Sequence, residues 1–99
     1  MERGGCVYII TNKRHSTYYT GVTSNIIDRV WQHKNKVYPN SFSVRYKCDK
    51  LVYYYTYLHI EEAIAAEKAI KGGSRQAKID LVNSLNPEWK DLYEELIEE

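Results

Sequence analysis

Glu67 is the residue hardest to explain as ordinary structure. At about 100° per residue it falls in the middle of the apolar helical face formed by Ile60, Ala63, Ile64 and Ile70. A carboxylate buried without a partner is costly, so Glu67 needs a cation, hydrogen-bond donors or a metal ion beside it. Lys71, four residues on, offers an ion pair at the edge of the core. A divalent ion offers a second solution, and the residues alone leave both open.

Arg29 and His33 are likewise four apart, on a helical stretch beside the apolar stripe of Ile26, Val30 and Val37. A guanidinium and an imidazole one turn apart can hold a phosphate and manage a proton, because imidazole titrates near neutrality and guanidinium keeps its charge. The same pair would also suit the rim of an amphipathic helix. Ten of the 99 residues are tyrosine. Most, including Tyr53 to Tyr55 and Tyr57, read as strand formers. Tyr8 and Tyr19 differ, because a hairpin could bring both phenols to one face toward Arg29 and His33, provided the register is right.

The elements that must position these groups follow from local pattern. Cys6 to Thr11 and Thr17 to Val22 are β-branched and aromatic, with a polar turn at Asn12 to Ser16 and Gly21 closing the second strand, and together they predict a hairpin. Thr23-Ser24-Asn25 supplies N-cap candidates for a helix from about Ile26 to Lys36, with Asp28 in its first turn and Pro39 barring continuation. Residues 38 to 50 are mixed and basic. Leu51 to Tyr57 is a third strand. A helix from Ile60 ends at Gly72-Gly73, a second runs from about Arg75 to Leu85, and Asn86-Pro87-Glu88 has the form of N-cap, first-turn proline and early acid for a last short helix carrying Trp89, Leu92, Tyr93 and Leu96. The predicted fold is α+β, a small three-stranded antiparallel sheet flanked by helices in the order ββαβααα, forming one domain over residues 1–99.

Composition narrows the function classes. No apolar run approaches the roughly 20 residues needed to cross a bilayer, and the first five residues do not resemble a signal peptide, so a soluble cytoplasmic protein without membrane partners is expected. Cys6 and Cys48 are far apart and lack CxxC spacing, which predicts two reduced thiols rather than a zinc site or a disulfide scaffold. The net charge of +1 hides an asymmetry: residues 1–50 carry nine Lys/Arg against three acids, a net +6, and residues 51–99 carry five against ten, a net −5. A basic half permits, without requiring, a face that meets a polyanion.

Taken in order, Val7-Tyr8-Ile9, Tyr19-Thr20-Gly21, Arg29 with His33, and Glu67 resemble the GIY-YIG endonuclease family through nearly the entire chain. The stretches Tyr18 to Asn35, Ala63 to Lys71 and Asn86-Pro87-Glu88-Trp89 are similar to its small stand-alone bacterial members. The resemblance implies a GIY-YIG-like fold and metal-dependent hydrolysis of phosphodiester bonds in DNA, with structured or damaged DNA and DNA repair as the setting. It assigns the phenols of Tyr8 and Tyr19 to the attacking water or the scissile phosphate, Arg29 to the phosphate charge, His33 to proton transfer, Glu67 to the metal, and Asn86 to a less uniform position near the end of the domain. The implied ion is Mg2+ or Mn2+, because Mg2+ keeps most of its water shell and needs only one or two protein carboxylates. A tyrosine with its ordinary pKa near 10 is a poor base at neutral pH, so Tyr8 needs either a lowered pKa or a relay through His33. The chain departs from the family pattern at Val7 for glycine, Thr20 for isoleucine, Ala66 where arginine is frequent, and Gly73 where an aromatic is common. Two other readings fit the same sequence: a non-catalytic nucleic-acid-binding module of this fold, and a protein-interaction domain using the acidic tail Glu94 to Glu99 and exposed tyrosines.

Overall fold

Burial on both faces explains why the first strand is the middle one. In the computed structural model, which describes residues 4–98, β1 (Gly5–Thr11) is buried at every position and lies between β2 (Tyr18–Thr23) and β3 (Lys50–Tyr57). Both neighbours run antiparallel to it. Alternate residues of β1 feed two separate cores. Val7 and Ile9 pack with Val52, Tyr53 and Val82, joined by Ala66, Ile70 and Leu81 from α3 (Ile60–Gly72) and α4 (Arg75–Leu85). Tyr8 and Ile10 pack on the other face with Val30, Cys48 and Leu51, joined by Ile26 of α1 (Ile26–Lys34) and by Leu92, Tyr93 and Leu96 around α5 (Tyr93–Ile97). The result is a three-stranded antiparallel sheet sandwiched between two helical layers, the α+β class expected. Among the described residues no helix is long and apolar enough to cross a membrane, and Cys6 and Cys48 are free and buried.

Three local expectations are corrected. First, α1 stops at Lys34, with Asn35 as its C-cap and Lys36 in the left-handed region at φ 53°, so the chain turns before Pro39 is reached. Val37 consequently lies outside the helix and is exposed. Second, the basic stretch after it contains an unforeseen helix, α2 (Phe42–Arg45), capped by Ser41, whose hydroxyl accepts from the Val44 amide. The order is therefore ββααβααα. α3 itself ends where expected, with Gly73 as its C-cap in extended backbone at φ −82°. Third, Asn86 ends α4 instead of starting the next helix. Its Nδ2 donates to the carbonyls of Val52 and Lys90 at 3.0 and 2.8 Å, and its Oδ1 accepts from the Lys90 amide at 3.0 Å. Those bonds hold residues 86–90 in an irregular turn, and α5 begins only at Tyr93. Asp91 then joins three elements, accepting from Lys34 Nζ on α1 and from the amides of Leu51 and Tyr93.

Candidate functional site

The hairpin register decides whether the two tyrosines meet. Tyr8 pairs with Gly21 and Ile10 with Tyr19, which sends the Tyr8 and Tyr19 side chains to the same face of the sheet. Their ring centroids lie 6.3 Å apart. Gly21 does not end its strand as expected; it sits inside β2 because the Tyr8 ring lies across it. A Cβ on residue 21 would collide with Oη and Cζ of Tyr8. The glycine therefore makes room for a tyrosine that is itself 1% exposed.

α1 delivers the next two groups. The helix is fixed by Asn25, whose side chain accepts from the Asp28 amide, and its inward face carries Val30 and His33. His33 is buried deeper than a rim position would allow, and its Nε2 lies 2.9 Å from Tyr8 Oη. Its Nδ1 is 2.8 Å from Ser43 Oγ on α2, and Ser41 Oγ stands 3.1 Å beyond. If the phenol donates to Nε2, Nδ1 carries the proton and donates to Ser43, so every atom of the chain Tyr8–His33–Ser43 is satisfied. Burial, and then the nearby Arg29 cation, push the His33 imidazole down from 6.5 to about 4. Burial pushes the Tyr8 phenol up from 10 to about 12, with Tyr19 adding to the rise and Arg29 opposing it. Both groups are thus uncharged at neutral pH. Of the two routes open to Tyr8, the relay through His33 has its geometry in place and the lowered pKa does not.

Arg29 lies against both phenols. Burial works against its charge, but the hydroxyls of Tyr8 and Tyr19 outweigh that and raise its pKa. Gln32 Oε1 accepts from Nη1 at 3.0 Å and Tyr38 lies under the guanidinium at 5.5 Å, which orients the fork.

Glu67 approaches from α3, on the opposite side of the sheet, around the β2 edge. Its side chain is 15% exposed, and Ala63, Ala66 and Ile70 flank it on the inward face, whereas Ile64 is exposed. Lys71 Nζ sits 3.1 Å from Glu67 Oε2 and 5.9 Å from the Tyr19 ring centroid. The ion pair foreseen as one solution for Glu67 is thus formed, and it lies beside the tyrosine cluster. A cleft of about 370 Å³ lined by Tyr19, Thr20, Phe42, Lys71 and Lys78 opens there.

Tyr8, Tyr19, Arg29 and His33 are therefore in mutual contact; of these Tyr19 lines the cleft, and Glu67 is joined to it only through its ion pair with Lys71 on the cleft wall. Asn86 is not brought to it: its three hydrogen bonds serve the β3 side of the sheet, whereas the cleft is at β2. Ser43 escaped the sequence reading because its helix is only four residues long; the serine at 41 after Pro39-Asn40 was the available cap signal. The departures from the family pattern are structural. Val7 is wholly buried, Ala66 packs on the core, and Thr20 carries an Oγ1 that is buried and has no partner among the described residues.

A metal ion, if bound, has one suitable acidic ligand here. Among the described residues no three His, Cys, Asp or Glu side chains cluster as a metal cage. Glu67 alone fits a hard ion that retains its water, and the Lys71 ammonium against it shows that this carboxylate accommodates a cation at the cleft.

The family model for the GIY-YIG catalytic domain matches residues 4–80. Among solved structures, the solution structure of the UPF0213 protein BH0048 from Bacillus halodurans is similar, with 25% identity, a TM-score of 0.57, and coverage of 89% of this chain and 92% of that one. No curated protein matches the chain. The ordered tyrosines, the α1 arginine and the α3 glutamate, on a sheet of this topology, accord with the match to more than half the sequence: the chain belongs to the GIY-YIG catalytic domain family.

Proposed function

We propose that this protein is a metal-dependent endonuclease that hydrolyses phosphodiester bonds in DNA, structured or damaged DNA and DNA repair being the setting. The observation that carries the reading is the contact of Tyr8 with His33 at 2.9 Å beside the Arg29 cation. Arg29 binds the scissile phosphate and offsets the negative charge that grows on it. Tyr19 lines the cleft and orients the phosphate. Tyr8 accepts a proton from the attacking water as it passes its own to His33 Nε2, and Ser43 accepts the hydrogen bond of the resulting imidazolium. Water oxygen bonds to phosphorus as the bond to the 3′ oxygen breaks. Glu67 would hold the Mg2+ or Mn2+ ion once Lys71 swings away, which its half-exposed side chain permits. When bound, the ion would polarise the phosphate and stabilise the leaving oxygen. Asn86 is left out of the chemistry.

The test is cleavage of single-stranded, duplex and branched DNA with Mg2+ or Mn2+ against a chelator. Glu67→Ala and Tyr8→Phe are each expected to lower the rate by about 100-fold or more, as loss of a positioned charge or proton-transfer group does. Cleavage that persists with the chelator or in Glu67→Ala would overturn the reading. A folded wild type that retains nucleic acid but never cuts would instead favour a binding module, for which the Glu67–Lys71 ion pair would be the resting structure.

A further inference from the structure

A second cavity, of about 690 Å³, shares none of the cleft's lining residues. Lys13, Arg14 and Lys47 line it together with Tyr46, Asp49 and Asp91. Asp91 is already engaged by Lys34, and Lys50, also on the wall, contacts His15 at 3.0 Å. Among the described residues Lys13, Arg14 and Lys47 form no ion pair and are exposed. Lys47 also holds φ 57°, a conformation that glycine adopts at lower cost, so a cation stands where the backbone alone would favour glycine.

A row of rings connects this cavity to the cleft. Tyr19 lies 6.0 Å from Phe42, and Phe42 lies 4.6 Å from Tyr46, the first at the cleft and the last on the cavity wall. Phe42 and Tyr46 are each 45% exposed and belong to neither core cluster. Cations without rings would fit any phosphate backbone, and rings without cations would fit a peptide. Exposed rings leading from a phosphate-cutting cleft into exposed cations fit a strand whose bases are free to stack. Bases inside a duplex are stacked on each other and cannot use such a platform.

Resting on the nuclease reading of the cleft, we propose that Phe42, Tyr46 and the Lys13–Arg14–Lys47 cavity form a binding track for an unpaired nucleic-acid strand. Successive bases stack on Phe42 and Tyr46, and the backbone phosphates beyond the cleavage point enter the cavity.

Binding of labelled oligothymidylate and of a duplex of equal length to the full chain, followed by fluorescence anisotropy in chelator across a salt series, tests this without cleavage. The single strand is expected to bind more tightly than the duplex. Phe42→Ala with Tyr46→Ala should weaken it about tenfold or more with an unchanged salt slope. Phe42→Trp with Tyr46→Trp should retain affinity, which separates loss of the platform from loss of folding. Lys13→Gln, Arg14→Gln and Lys47→Gln combined should reduce the slope of log K against log salt by about 2. Equal single-strand and duplex binding, unaltered binding in the alanine pair, or an unaltered slope in the triple variant would each overturn the track. If the track variants behave as expected but wild type never cleaves, the nuclease reading fails and the track stands; if wild type cleaves and the variants bind normally, the reverse holds.

Discussion

At the residue level, two neutral groups in contact make a system whose pH dependence has a definite sign. His33 accepts the Tyr8 proton only while unprotonated, and its pKa lies near 4 in the folded chain against an ordinary 6.5. Cleavage is therefore expected to persist well below pH 6.5 and to fall only as pH approaches about 4, measured as the acid limb of kcat/KM. The same shift bears on stability. A depressed folded-state pKa contributes stability that is present above 6.5 and lost as pH falls toward 4, whereas the raised Tyr8 pKa contributes stability that is present below 10 and lost as pH rises toward 12. Urea midpoints across pH should decline at both ends, and in His33→Gln the contribution lost between 6.5 and 4 should disappear. A midpoint insensitive to pH in both windows would contradict the burial of the pair.

At the element level, close approaches matter more than propensities. Gly21 lies in a strand, where glycine is disfavoured, because its partner Tyr8 needs the space. Gly21→Ala forces Tyr8 off its position, with an expected cost of about 1–3 kcal/mol in chemical denaturation and a fall in cleavage larger than the stability loss explains. A normal midpoint with normal cleavage would show that the ring moves freely. Asn86 makes the contrasting case. Its removal orphans the Val52 carbonyl and the backbone amide and carbonyl of Lys90, so Asn86→Ala should destabilise by roughly 1–3 kcal/mol and leave the turnover of the folded fraction intact. An Asn86→Ala protein with unchanged stability and lost cleavage would return that residue to the chemistry.

On the scale of the whole molecule, the basic half supplies nearly all of the second cavity's wall and, through β2 and α2, one side of the cleft, to which α3 and α4 add Lys71 and Lys78. The acidic half supplies α3, α4 and α5. Nucleic-acid affinity should therefore be carried chiefly by phosphate contacts, with little sequence preference and a dissociation constant on the order of 10⁻⁴ to 10⁻⁶ M at physiological salt. A salt titration checks this: log K should fall linearly with log salt, and a flat response would remove backbone binding from the account.

The sequence by itself determined the α+β class, the three strands, the three longer helices α1, α3 and α4 to within a few residues, and the family, because strand alternation, capping residues and ordered motif positions are local or linear properties. It also singled out Glu67 through its misfit on an apolar face. Only the tertiary structure decided the register that sets Tyr8 against Gly21, since a one-residue slip is invisible to composition yet reverses every side chain. Long-range packing likewise decided that α2 forms at all, because four residues have too little intrinsic helical stability to announce themselves, and with α2 came Ser43 on His33. Asn86 looked like a cap in sequence and is one, but for the end of α4; which side of a cap the helix lies on was settled by the carbonyl of Val52, 34 residues away.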